Sequence, residues 1–240
     1  MSKTLDLYYN NPKFCGVLVE YRGKIGYFTL KSLDLFRKLK SFIMRTEPTK
    51  KGYKVWLASK EMEDFINCAN SASTRKDMTE RLTIAVTLAG RAGLRAFEIG
   101  NARDEHKTDN NSTLTVPEGK GGKYREVPMP KSIALLKFDS YLTNPATGRG
   151  VTVTTIENWI RMIGKEYHRR YDDEDALKIT PHDLRRSWGT LLTEMTDPVV
   201  PNDIIMKWGG WTSRPVFDKH YLNVGSPDYE AEQRSKIPWL

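Results

Sequence analysis

The 240-residue sequence has only two cysteines, Cys15 and Cys68, too few and too far apart for a disulfide framework or a zinc site. A reducing compartment and metal-free chemistry are therefore expected, with no cofactor. No stretch approaches the roughly 18 uninterrupted apolar residues of a membrane span, and residues 1–10 lack the charged-then-apolar order of a secretory signal. A soluble, intracellular protein without membrane attachment is expected. Internal repeats and low-complexity tracts are also missing, so the chain reads as an ordinary globular fold: one domain, or one domain with a smaller appendage.

Positive charge is present but unevenly spread. Residues 1–60 hold 13 Lys and Arg against 4 Asp and Glu, whereas the remaining residues hold 25 against 26. The whole excess behind the net charge of +8 thus sits in the first quarter. A cationic segment on a balanced body suits an arm that holds a polyanion, since each cation meeting a phosphate releases condensed counterions; a merely solubilising surface is the equal alternative.

Patterning divides the chain near residue 52. Before it, Val17–Tyr21 and Lys24–Leu30 are β-rich runs about Arg22-Gly23 and predict a basic hairpin. Leu33, Leu35, Phe36, Leu39, Phe42 and Ile43 then recur at helical spacing and predict an amphipathic helix over 31–45. Residues 45–53, with Pro48, Gly52 and Lys50-Lys51, read as a linker. Residues 1–52 are accordingly expected to form a basic, polyanion-holding arm, with Arg22, Lys24, Lys38, Lys50 and Lys51 as its phosphate contacts.

Residues 53–240 are expected to be mainly α with a small β-hairpin or sheet, an α+β fold. Helices are predicted over 61–69, 75–91 (halted by Gly93), 131–142, 154–170 (Thr154 or Thr155 as cap), 181–195, 202–208 and 214–222. Thr180 followed by Pro181 gives the clearest helix start. Thr113–Val116 and Arg125–Met129 flank Gly119-Lys120-Gly121-Gly122-Lys123, a hairpin with a glycine-rich tip.

Several of these segments carry residues suited to phosphate chemistry. Arg95 lies just past a predicted helix end, with Glu98 three residues on to orient it. Lys120 occupies a flexible tip from which a long cation can reach inward, and Lys123 flanks the same glycine pair. His182 and Arg185 stand three apart on the first turn of a helix, so both face one way, and Arg186 adds a further cation. Trp211 follows Gly209-Gly210, and Tyr221 comes ten residues later. Each piece alone has an ordinary structural reading: a surface ion pair, a turn, a capped histidine, a core tryptophan.

In this order and spacing the residues resemble the tyrosine recombinase, or phage-type integrase, family over roughly residues 55–225. The resemblance implies the catalytic-domain fold of that family with a short basic N-terminal arm. It also places Arg95, Lys120, His182, Arg185, Trp211 and Tyr221 at the catalytic positions, with Glu98 in the supporting acidic one and Tyr229 a weaker rival nucleophile. Implied with these are site-specific cleavage and rejoining of double-stranded DNA through a 3′-phosphotyrosine, without metal or ATP, and a homotetramer on DNA that is monomeric when free. Lys123 and Arg186 are expected to touch DNA. The expected location is the cytoplasm, on the nucleoid, or the host cell of a virus or plasmid.

Two other activities are open on these residues: DNA relaxation of the type IB topoisomerase kind, and DNA binding without catalysis. The family places about a hundred residues of helical domain ahead of the catalytic one, where this sequence has about fifty beginning with a hairpin. A compact arm, a form lacking a longer N-terminus, and an enzyme leaning on partners are three accounts of that difference. The apolar end Ile237-Pro238-Trp239-Leu240 suits docking on a neighbouring protomer or packing back on its own domain.

Overall fold

A computed structural model describes residues 16–21, 24–29, 45–49, 52–117, 124–195 and 198–221. The chain divides into two compact units, Met44–Asn223 on one hand and Met1–Ile43 with Val224–Leu240 on the other. In the second, β1 (Gly16–Tyr21) and β2 (Lys24–Thr29) pair antiparallel as expected, with Tyr21 opposite Lys24. The helix expected over 31–45 falls outside the described residues except at Arg45, which opens a strand instead.

The stretch 45–53, expected as a linker, is a hairpin: β3 (Arg45–Thr49) pairs antiparallel with β4 (Gly52–Trp56). The reason lies in the far end of β4. Val55 and Leu57 are buried in the core, the Val55 N–H donates to Asp183 at 3.3 Å, and the Leu57 N–H donates to Ser187 Oγ at 2.9 Å. A segment whose apolar side chains are buried and whose amides are satisfied by a distant helix has no reason to stay a coil.

Helices follow: α1 (Ser59–Cys68), α2 (Lys76–Arg91), the short α3 (Ala96–Gly100), α4 (Phe138–Leu142), α5 (Val153–Tyr171), α6 (Pro181–Glu194), α7 (Asn202–Gly209) and α8 (Arg214–Tyr221). Between α3 and α4 a three-stranded antiparallel sheet runs β5 (Lys107–Thr108), β6 (Thr113–Val116) and β7 (Arg125–Pro128), in the order β5-β6-β7. The fold is thus mainly helical with a small sheet, as the patterning implied. α2 is buried continuously from Ile84 to Gly90, because α1, α5 and α6 all pack on it. Among the described residues no helix is long and apolar enough to cross a membrane.

Two local expectations are corrected. The single helix over 131–142 is broken into a 3-10 turn, Lys131–Ile133, and α4. Asp104 accepts the Phe138 N–H at 3.0 Å, and the Lys107 amine donates to the Leu136 carbonyl, so side chains from another segment take over the groups a continuous helix would pair. The cap of α5 is Thr152, whose hydroxyl accepts the Thr155 N–H at 3.2 Å.

Candidate active site

The end of α7 organises the site. Its last four carbonyls have no partner within the helix and must find others. Trp211 N–H donates to Met206 at 3.0 Å and Gly210 N–H to Lys207 at 3.1 Å, the two bonds of a Schellman cap. Gly210 sits at φ +65°, a left-handed conformation that glycine adopts without a Cβ clash. The remaining two carbonyls, Trp208 and Gly209, accept from arginines: Arg125 Nε at 2.7 Å and Arg185 Nη2. The negative end of a helix dipole favours cations at this place.

Arg185, on α6, is 2% exposed, and its second amino group donates to the Gly93 carbonyl just beyond α2. Burial, then the charge of Arg95, pull its pKa down to about 9, which still leaves the guanidinium protonated at neutral pH. The guanidinium carbon stacks 4.7 Å from the Trp211 ring. Trp211 in turn lies 5.8 Å from Trp188, 5.3 Å from Phe217 and 4.5 Å from Tyr221.

Tyr221 closes α8 and is buried, stacked on Phe217 at 5.1 Å. Its carbonyl accepts from Thr193 of α6 at 3.2 Å. α8 comes this close because α6 carries Gly189 there: a Cβ at that position would stand 2.7 Å from the tyrosine ring. Burial raises the phenol pKa, against the charges of Arg185, Arg186 and Arg95 and a hydrogen bond with Trp211, which lower it. The phenol is therefore neutral at physiological pH.

Arg95 is the N-cap residue of α3. Its backbone N–H donates to Glu98 Oε2 at 2.8 Å and its Nη1 to Glu98 Oε1 at 2.7 Å, so Glu98 does orient this arginine. Arg125, opening β7, adds a fork to the same carboxylate at 2.7 and 2.6 Å. Burial pushes Glu98 upward, but the Arg125 fork and the Arg95 bonds outweigh it and hold the carboxyl down at about 2. His182, exposed two residues into α6, is held below the ordinary imidazole range by desolvation of its ring and by the charges of Arg186, Arg185 and Arg95. His182, Arg185 and Tyr221 each feel the charge of Arg95, and Arg185 bears on both His182 and Tyr221.

Of the residues singled out from the sequence, the fold brings together Arg95, Glu98, His182, Arg185, Trp211 and Tyr221. Lys120 and Lys123 lie outside the described residues, as do Arg22, Lys38, Lys50 and Lys51; Lys24 is the first residue of β2. Arg186, expected at DNA, is corrected: it is 8% exposed, paired with Asp183 at 2.6 Å and lies 5.2 Å over the Trp56 ring. One turn position from Arg185, it faces β4, where Asp183 and an aromatic ring hold its charge. Arg125 was missed. Its only sequence signal is a charged residue at an inward position of an alternating strand, where burial runs buried, exposed, buried, exposed. Among the described residues no three His, Cys, Asp or Glu side chains are grouped to hold a metal ion.

The sequence model of the Phage integrase family matches residues 55–226. Tyrosine recombinase XerA of Pyrococcus furiosus is 31% identical over 128 residues, covering 50% of this chain and 43% of that protein. The chain thus spans less than half the length of the curated relatives it matches. Among solved structures, XerA recombinase superposes with a TM-score of 0.53 at 22% identity, covering 76% of this chain and 64% of that one. XerH site-specific recombinase bound to difH in a pre-cleavage complex gives a TM-score of 0.57 at 18% identity, covering 75% and 53%. At these identities the structural likeness is one of fold.

Proposed function

The chain belongs to the phage integrase family, and on that premise we propose that it is a site-specific recombinase that cuts and rejoins double-stranded DNA through Tyr221. One observation carries the reading: the buried Tyr221 ring lies 4.5 Å from the Trp211 ring, which itself stacks on Arg185, and the phenol feels the charges of Arg185 and Arg95, side chains drawn from three separate segments.

In this reading the Tyr221 oxygen attacks a backbone phosphorus. A phosphotyrosine bond forms, the bond to the 5′ oxygen breaks, the phenol gives up its proton and the leaving oxygen gains one. Bond energy is kept in the new phosphodiester, so reversal onto another strand's 5′-hydroxyl needs no ATP. Arg95 and Arg185 supply positive charge as negative charge grows on the nonbridging oxygens. His182, neutral because its pKa is lowered, is free to accept a hydrogen bond or a proton, and Trp211 offers an indole N–H. Lys120, between β6 and β7, is assigned the proton for the 5′ oxygen by the family pattern. A homotetramer on two duplexes completes the exchange, and the basic residues 1–52 hold the DNA.

The test uses a pool of randomised duplexes nicked so that the cleaved fragment diffuses away and traps the intermediate. The protein should give a DNA adduct that survives detergent, and Tyr221→Phe should bind the pool yet give none. An adduct that persists in Tyr221→Phe, or none from the unaltered protein, overturns the proposal.

A further inference from the structure

Arg125 occupies a position where strand geometry calls for an apolar side chain. Val127, two residues on and facing the same way, is 1% exposed, and the Arg125 side chain is 6% exposed. Taking a guanidinium out of water at such a place is costly, and an ion pair there is an indifferent way to stabilise a fold: an apolar residue of similar volume often does as well. What the network does supply is fixed orientation. Both Glu98 oxygens are doubly engaged, Oε1 by Arg95 Nη1 and Arg125 Nη1, Oε2 by the Arg95 N–H and Arg125 Nη2. The carboxylate cannot turn without breaking bonds to both arginines.

The third bond of Arg125 goes to Trp208, whose neighbour Gly209 accepts from Arg185. One guanidinium therefore ties β7, the strand leading out of the hairpin that bears Lys120, to α3, which presents Arg95, and to the end of α7, which seats Arg185 and Trp211. Arg95 itself remains 35% exposed, so its outer N–H groups are available while its inner one is pinned.

We propose that Arg125 is a positioning residue for the cleavage reaction: through Glu98 it sets the direction of Arg95, and through the α7 carbonyl it keeps that arginine in register with Arg185. The proposal rests on the recombinase reading above. Lysine at this position keeps the charge but loses the fork and the separate Nε bond, so it isolates geometry from electrostatics.

The experiment compares Arg125→Lys, Arg125→Leu, Glu98→Gln and the Arg125→Lys/Glu98→Gln double variant in single-turnover adduct formation on a duplex recovered from the pool. Melting curves and DNA affinity are read alongside. Arg125→Lys should melt as a folded protein and bind the duplex as before, yet cleave about a hundredfold more slowly, the scale of an ångström misplacement of a reacting group. The double variant should be no slower than the slower single one, because both break the same link. A second readout needs no DNA: phenylglyoxal should modify Arg95 faster in Arg125→Lys and Arg125→Leu than in the unaltered protein, quantified by peptide mass spectrometry.

If Arg125→Lys cleaves normally, or the losses multiply, or Arg95 reacts at an unchanged rate, the positioning role is wrong. If the unaltered protein forms no adduct while Arg95 is unmasked in the variants, the recombinase reading fails and the Arg125–Glu98–Arg95 linkage stands.

Discussion

Two carboxylates in this protein are each held by two arginines, and they do different work. Glu98 binds Arg95 and Arg125, the latter 27 residues away, at a place where the carboxylate side chain is 1% exposed and Arg125 6%. Glu166 binds Arg169 and Arg170 from its own helix, with those partners 70% and 35% exposed, and also accepts from Ser71 at 2.8 Å. Both carboxyls are held down at about 2. In both, the arginine hydrogen bonds outweigh the opposing effect of burial, since the Glu166 side chain is itself only 8% exposed; what differs is that the arginines on Glu166 reach water and Arg125 does not. The outer pair finishes a helix end, where arginines in the last turn also suit the dipole. The inner one joins three elements around a tyrosine. Identical chemistry becomes a brace or a site according to whether its partners are local or distant.

The sharpest way to break this comparison is to remove each carboxylate. Glu98→Ala leaves Arg125 buried without a counter-charge and should cost about 3–5 kcal/mol in urea unfolding. Glu166→Ala frees two arginines that water can reach and should cost much less. Equal losses would mean that exposure of the partners does not govern the difference.

Acid offers an intermediate test. Each carboxyl has a folded pKa depressed from 4.5 to about 2, so each contributes stability that is present above the ordinary carboxylate range and lost as pH falls from about 4.5 toward 2. Glu98→Gln should flatten the stability-versus-pH slope in that window. A slope unchanged from the parent would show that Glu98 carries no depressed pKa. The smallest effect expected is that of Arg169→Gln, since Arg170 and Ser71 remain on Glu166. Its urea midpoint should coincide with that of the parent, and a clear shift would promote the outer cluster to a structural keystone.

Local signals carried a large part of the reading. Thr180 and Pro181 do begin α6, with Asp183 accepting the Thr180 N–H at 3.0 Å in return for the cap. Glu98 orients Arg95 within a single turn, as the three-residue spacing suggested. Misreadings occurred where a distant group intervened. Arg186 looked like a free cation because nothing in its neighbourhood announces Trp56, 130 positions earlier. Residues 45–53 looked like a linker because their proline, glycine and lysines are turn-formers, whereas β4 owes its place to Asp183 and Ser187. Arg125 was passed over as a strand residue, although its inward position held the clue.

The sequence alone determined most of the longer helices, the Thr180 cap of α6, the strands flanking the glycine-rich tip and the order of the phosphate-suited residues, since propensity, capping and periodicity act over a few residues and are written in consecutive letters. Tertiary structure alone decided that Arg125 reaches Glu98 and Trp208, that Arg186 turns from its neighbour toward β4, and that Gly189 lets Tyr221 approach α6. Those outcomes depend on which groups are left unpaired when separate elements pack together, and a buried charge or orphan carbonyl finds its partner across space rather than along the chain.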